Sequence, residues 1–128
     1  MSNLVQLGKT QLQVSPICFG TWQLSPRLWG DLPEETVISA VRRAFDLGVN
    51  FYDTADAYGD GNAEIILGKA LVDLPRDQVV VATKVYHHFF TDGRRYGDLS
   101  RGHILEACDA SLRRLKIETI DLYQCHTY

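Results

Sequence analysis

Two periods of apolar and polar residues alternate along the chain, and the switches between them divide it into elements. From Leu4 to Val14 the alternation is twofold around Gly8-Lys9-Thr10, the pattern of a short β-hairpin. Ile17-Cys18-Phe19-Gly20-Thr21-Trp22 is a compact apolar strand entering a glycine turn, which makes the hairpin a cap over one end of the core. Between Gln23 and Leu32, a loop with Pro26 and Gly30 carries Leu28 and Trp29, which either touch a ligand or fold back as packing on the rim.

The period then lengthens to that of a helix. Pro33 fits a first turn, Glu34 and Glu35 suit the positive end of the helix dipole, and the helix runs to about Leu47. Val37, Ile38, Val41, Ala44 and Phe45 share one face, Arg42, Arg43 and Asp46 face away, and Gly48 serves as a left-handed cap. A second helix starts near Asn62, whose side chain caps it, and continues through Ile65, Ile66, Leu67 and Leu71 towards Leu74-Pro75. A third starts at the capping Ser100, buries a stripe of Ile104, Leu105, Cys108, Leu112 and Leu115, and places Arg113, Arg114 and Lys116 at its negative end.

Between the helices lie three more strands, and each ends in an ionisable group. Val49 to Tyr52 stops at Asp53, with Ala57 to Asn62 as a turn; Gln78 to Thr83 stops at Lys84; Thr119 to Gln124 stops at Cys125-His126. The order strand, helix, strand, helix, strand, helix, strand is α/β, with parallel strands and right-handed crossovers. A doubly wound sheet and a (β/α)8 TIM barrel both satisfy it. Ionisable groups at successive strand ends favour the barrel, whose chemistry sits at that mouth. A dinucleotide-binding open sheet would carry Gly-x-Gly-x-x-Gly after its first strand, and Gly59-Asp60-Gly61 is too short and misplaced for it. Lys69 after Gly68 lacks the upstream glycines of a phosphate loop and reads as a solvated side chain.

Composition narrows the classes further. The 128 residues are 45% hydrophobic, enough for a core, and a net charge of -3 gives no reason to expect nucleic acid or an anionic membrane as partner. No apolar run approaches the roughly 20 residues of a membrane span and the first ten residues lack signal-peptide order, so the expected location is cytoplasmic. Cys18, Cys108 and Cys125, odd in number and set in apolar sequence, read as reduced, buried thiols.

Gly20-Thr21-Trp22, Asp53-Thr54-Ala55-Asp56-Ala57-Tyr58-Gly59, Ala63-Glu64 with Leu67-Gly68, Ala82-Thr83-Lys84 and Asp121-Leu122-Tyr123-Gln124 before His126 occur in this order. Together they resemble the N-terminal half of an aldo-keto reductase. The helix around Leu99-Ser100-Arg101 and Ser111-Leu112-Arg113-Arg114-Leu115 is similar to the branch holding bacterial stress-type reductases and potassium-channel β subunits. The resemblance implies that residues 1–128 form the N-terminal half of a single barrel domain, with the hairpin, four strands and three helices. It also implies reduction of an aldehyde or ketone with NADPH (NADP) by a catalytic tetrad of Asp53, Tyr58, Lys84 and His126.

The residue types suit that chemistry. An isolated phenol holds its proton tightly near neutrality; a cationic Lys84 beside Tyr58 favours proton release to a developing alkoxide, Asp53 holds the ammonium, and His126 donates a hydrogen bond to the carbonyl oxygen. Taken singly, Asp53 is a turn former, Tyr58 a rim aromatic, Lys84 a solvated chain and His126 a core histidine; their joint placement favours catalysis. By the same resemblance Gly20, Thr21, Trp22 and Asp53 lie along the nicotinamide, although a glycine after a strand also serves a tight turn.

The connection Val85 to Leu99, about three times the usual loop length, carries Tyr86, His87, His88, Phe89, Phe90 and Tyr96 and is placed to shape the carbonyl pocket. Its adjacent histidines lack a third ligand at metal spacing, so no metal is expected. A closed barrel takes about 250 residues, so the C-terminal half is expected to be absent from this chain, leaving it to self-associate or pair with such a half. Two other functions stay open: a non-catalytic regulatory subunit, and a barrel enzyme using Lys84 as a Schiff-base nucleophile.

Overall fold

The computed structural model describes residues 4–24, 30–89 and 95–128. Leu28 and Trp29 lie outside these residues, as do Phe90 and the side chains of His88 and Phe89.

The chain opens with β1 (Val5–Gln6) and β2 (Gln13–Val14), antiparallel with Val5 opposite Val14. The Ser15 N–H donates to Asn50 Oδ1 at 2.7 Å, and Asn50 Nδ2 donates to the Gln13 carbonyl at 3.0 Å. Because Asn50 precedes the next strand but one, these bonds hold the hairpin at the N-terminal end of the sheet.

Four strands form that sheet: β3 (Phe19–Gly20), β4 (Phe51–Asp53), β5 (Val80–Val85) and, late in the chain, a strand at Leu122–Cys125. They are parallel and lie side by side in chain order. A doubly wound sheet reverses its order at a switch point; this one does not, which is the order of a barrel.

α1 (Glu34–Asp46) joins β3 to β4. Pro33 stands at its cap position with ψ 127°, an extended value, so the helix begins one residue later than the sequence predicts. Gly48, at φ 92°, turns the chain out as expected, and its N–H donates to the Phe45 carbonyl at 2.8 Å. α2 (Asn62–Leu71) joins β4 to β5. Here Asn62 is the first helical residue and makes no side-chain cap; Gly61, left-handed at φ 89°, holds the cap position, a geometry natural to a residue without Cβ.

The connection after β5 is a second hairpin rather than a loop: β6 (His87–Phe89) pairs with β7 (Arg95–Gly97), His87 opposite Gly97. Its aromatic run suits a pleated strand, which the length argument passed over. α3 (Arg101–Leu115) follows, with the Ser100 Oγ accepting from the His103 N–H at 3.3 Å as the predicted cap, and leads into β8 (Leu122–Cys125).

The buried face of α3 is His103, Ala107, Ser111 and Leu115; of the expected stripe only Leu115 is fully buried, while Ile104, Cys108 and Leu112 are partly buried. The reason is a close crossing with α2. A Cβ added at Gly68 would stand 2.5 Å from the Leu115 carbonyl oxygen, so at this point of the crossing only a residue without a side chain fits. Leu105 is left half exposed.

The main core lies between the sheet and the helices, around Val41, Tyr52, Leu67, Val81 and Leu115. The Tyr52 hydroxyl sits 3.2 Å from the Val41 and Val49 carbonyls, and burial pushes its phenol up to about 12. The three thiols are free, as expected, but not buried: Cys18 and Cys125 are exposed and Cys108 half-buried. Cys18 precedes β3 and Cys125 ends β8, the strands with one neighbour each among the described residues. Lys69 is paired rather than simply solvated, its Nζ 2.8 Å from both Glu34 oxygens.

Candidate active site

The register of the sheet delivers the candidate residues to one end. Gly20 lies beside Asp53, Asp53 beside Ala82, and Lys84 beside Gln124. Ala82 and Lys84, two apart on β5, share a face of the sheet. The ladder continues past the strands: the Thr54 N–H donates to the Ala82 carbonyl at 2.9 Å, and the His126 N–H to the Val85 carbonyl at 2.9 Å. Tyr58 is set by the turn after β4, its N–H on the Ala55 carbonyl at 3.1 Å and its carbonyl receiving the Ala63 N–H at 3.2 Å.

All four tetrad residues are brought together. Lys84 Nζ donates to Asp53 Oδ2 at 2.7 Å, to the Thr54 carbonyl at 2.8 Å and to the Tyr58 hydroxyl at 3.3 Å. An ammonium has three protons, and each has an acceptor here. The ammonium also lies 4.9 Å from the centroid of the Tyr58 ring. With the Tyr58 oxygen accepting from Lys84, its own proton is available to a different acceptor.

His126 completes the group. Its ring meets Tyr58 edge to face, centroids 5.7 Å apart at 85°. Burial, then the charges of Lys84 and His87, hold its imidazole below the ordinary value of 6.5, against an opposing pull from Asp53. Its Nδ1 is buried and makes no hydrogen bond within the described residues. Among those residues, no three His, Cys, Asp or Glu side chains come together as metal ligands.

Of the remaining sequence candidates, Gly20 and Thr21 reach the same end of the sheet. The Thr21 N–H and hydroxyl both donate to the Asp53 carbonyl, at 3.0 and 3.1 Å, fixing the backbone that carries the carboxylate. A Cβ at Gly20 would meet nothing within 4 Å, so open space lies beside Asp53 at the strand end. Trp22 is 48% exposed in the turn Trp22–Leu24.

Three positions gain a specific role: Thr54 and Glu64 had entered only as parts of the motifs, and His87 only as one residue of the connection after β5. Thr54 contributes only its carbonyl, which no side-chain pattern signals. Glu64 is fully buried, accepting from Thr83 Oγ1 at 2.5 Å and Arg114 Nε at 2.6 Å, so it anchors the strand residue just before Lys84. A charged residue amid Ile65, Ile66 and Leu67 was the available signal. His87 lies against His126, ring centroids 5.4 Å apart.

Comparison with known proteins supplies relatives for this arrangement. The sequence profile of the Aldo/keto reductase family matches residues 16–128. Over 121 residues the chain is 39% identical to the aldo-keto reductase YhdN of Bacillus subtilis, covering 94% of this chain and 36% of that protein. It is 38% identical over 133 residues to the NADH-specific methylglyoxal reductase of Escherichia coli, covering 95% of this chain and 41% of the relative. The matched relatives also include potassium-channel β subunits. Among solved structures, the holo form of the aldo-keto reductase AKR11C1 of Bacillus halodurans superposes with a TM-score of 0.85 at 36% identity, covering 98% of this chain and 40% of that one. The solved neighbours are (β/α)8 barrels, and the four-stranded sheet is part of that fold. The chain thus spans well under half the length of these relatives.

Proposed function

The chain belongs to the aldo/keto reductase family, and from that premise we propose that it carries the proton-transfer half of a carbonyl reductase, converting an aldehyde or ketone to an alcohol. The observation that carries this reading is the single ammonium of Lys84 bonded at once to the Asp53 carboxylate and the Tyr58 hydroxyl. Carbonyl reduction adds a hydride to carbon and a proton to oxygen. Tyr58 gives the proton; as its O–H bond breaks, the phenolate left behind is stabilised by Lys84, whose own charge is balanced by Asp53. His126 donates a hydrogen bond to the carbonyl oxygen, aligning it towards Tyr58 and favouring the negative charge that develops there.

The cofactor in this reading is a nicotinamide dinucleotide, held in part by Gly20, Thr21, Trp22 and Asp53; when bound it supplies the hydride. We assign NADPH on the strength of the family resemblance. Although the relative from Escherichia coli is NADH-specific by name, that specificity is its own.

The test is oxidation of NADPH, and separately NADH, by the protein with an aromatic aldehyde. Tyr58→Phe is expected to lower turnover by about 10²–10⁴-fold, the usual contribution of a general acid. A substrate-dependent adduct on Lys84 after borohydride would overturn the reductase in favour of Schiff-base chemistry. Absence of aldehyde turnover, with cofactor binding intact, would favour a regulatory subunit instead.

A further inference from the structure

Four aromatic rings run from the proposed proton donor to the β6–β7 hairpin. Tyr58 meets His126 at 5.7 Å and 85°, His126 meets His87 at 5.4 Å and 76°, and His87 meets Tyr86 at 5.0 Å and 82°. Each contact is edge to face, an arrangement favoured by the ring quadrupoles. The far end of this row is seated on the hairpin. Gly97 is the register partner of His87, a Cβ at Gly97 would run into the Tyr86 ring, and the Tyr86 carbonyl accepts from the Asp98 N–H at 2.7 Å.

We propose that His87 is a positioning residue, pressed by the hairpin against His126 so that the His126 imidazole stays edge-on to Tyr58. The His126 ring contacts both Tyr58 and His87, and its backbone N–H is tied to Val85. Without His87, one of the two ring contacts holding His126 is lost. His87 also acts through charge. The groups that act on His126 are Lys84 from β5 and His87 from β6, which disfavour its cationic form, and Asp53 from β4, which favours it; Tyr58 packs against it as a phenol. Removing His87 removes one of the two cationic contributions while leaving Lys84 and Asp53 in place.

The consequence for chemistry rests on the reading of His126 as the group that orients the carbonyl. A neutral imidazole donates one hydrogen bond and does not itself give up a proton to the alkoxide, which leaves protonation to Tyr58.

The experiment compares wild type, His87→Phe and His87→Ala by following the His126 ring carbon and proton signals through a pH titration by NMR, with steady-state aldehyde reduction in parallel. His87→Phe keeps a ring against His126 but no charge, so the His126 midpoint should rise slightly while burial and Lys84 still hold it below 6.5, and kcat should fall far less than in His87→Ala. His87→Ala loses both contact and charge; the midpoint should rise likewise and kcat should fall by about 10–100-fold, the cost of a misplaced group, with KM less affected. An unchanged kcat in His87→Ala overturns the proposal, as does a fall in His87→Phe as large as that in His87→Ala. The NMR arm needs no turnover. A midpoint that moves in a protein inactive towards aldehydes would support the placement of His87 while the reductase reading fell.

Discussion

Lys84 shows how much one side chain can be asked to do. Its three ammonium protons are all engaged, on a carboxylate, a backbone carbonyl and a phenol. Arginine keeps the charge, but a planar guanidinium cannot point donors in these three directions from the same place. Lys84→Arg is therefore expected to be about as inactive as Lys84→Met in aldehyde reduction, whereas a role of charge alone would leave it partly active. His126 gives a prediction in pH. Its imidazole is harder to protonate in the fold than the ordinary 6.5, so below that pH the unfolded chain binds more protons and stability falls as pH drops through the folded value. Urea midpoints at pH 7.5 and pH 5 should show this loss in wild type, and a smaller one in His126→Asn. The sequence made these residues legible only jointly, as ionisable groups at the ends of successive strands in the order of one family's motifs. It could not show the Thr54 carbonyl, since every residue carries one.

At the scale of elements, the crossing of α2 and α3 supports the site from behind. Glu64 has no exposed surface and balances its charge against Arg114, with Thr83 on its other oxygen. Removing one partner of a buried pair typically costs about 3–5 kcal/mol, because the other charge is left without compensation. Arg114→Ala should lose stability on that scale in a urea titration. Gly68→Ala tests the helix approach: alanine gains about 1 kcal/mol in helix propensity, but its Cβ meets the Leu115 backbone, which cannot step aside as a side chain could. Overpacking of this kind costs about 1–3 kcal/mol, so a net loss is expected; a higher urea midpoint would show that the helices can separate. The sequence located the three α-helices of the described residues through their periodicity. It placed Leu115 correctly but missed His103, Ala107 and Ser111 on the buried face of α3, because periodicity ranks faces by hydrophobicity while a close crossing also admits small and polar residues.

For the whole molecule, the sheet order β3-β4-β5-β8 leaves β3 and β8 with one neighbour each among the described residues. Unpaired strand edges template further pairing, and Ile17 beside β3 is 72% exposed. We propose that a second copy of the chain covers these edges when the 128 residues are alone. Sedimentation of the 128-residue chain should therefore depend on concentration, and Cys125→Lys, a charge placed on β8, should shift it towards monomer. A concentration-independent monomer would count against this.

What the sequence determined by itself was local and periodic: the strand and helix alternation, the caps at Gly48 and Ser100, and the residue types that bring chemistry to strand ends. Backbone preference and side-chain period are properties of neighbours along the chain, so they can be read in order. What only the tertiary structure decided was register and approach. That Lys84 reaches Asp53 and Tyr58 together, that Glu64 stands behind Thr83, and that His87 lies against His126 all depend on how strands far apart in sequence align, and in a parallel sheet that alignment is set by the packing of the helices between them.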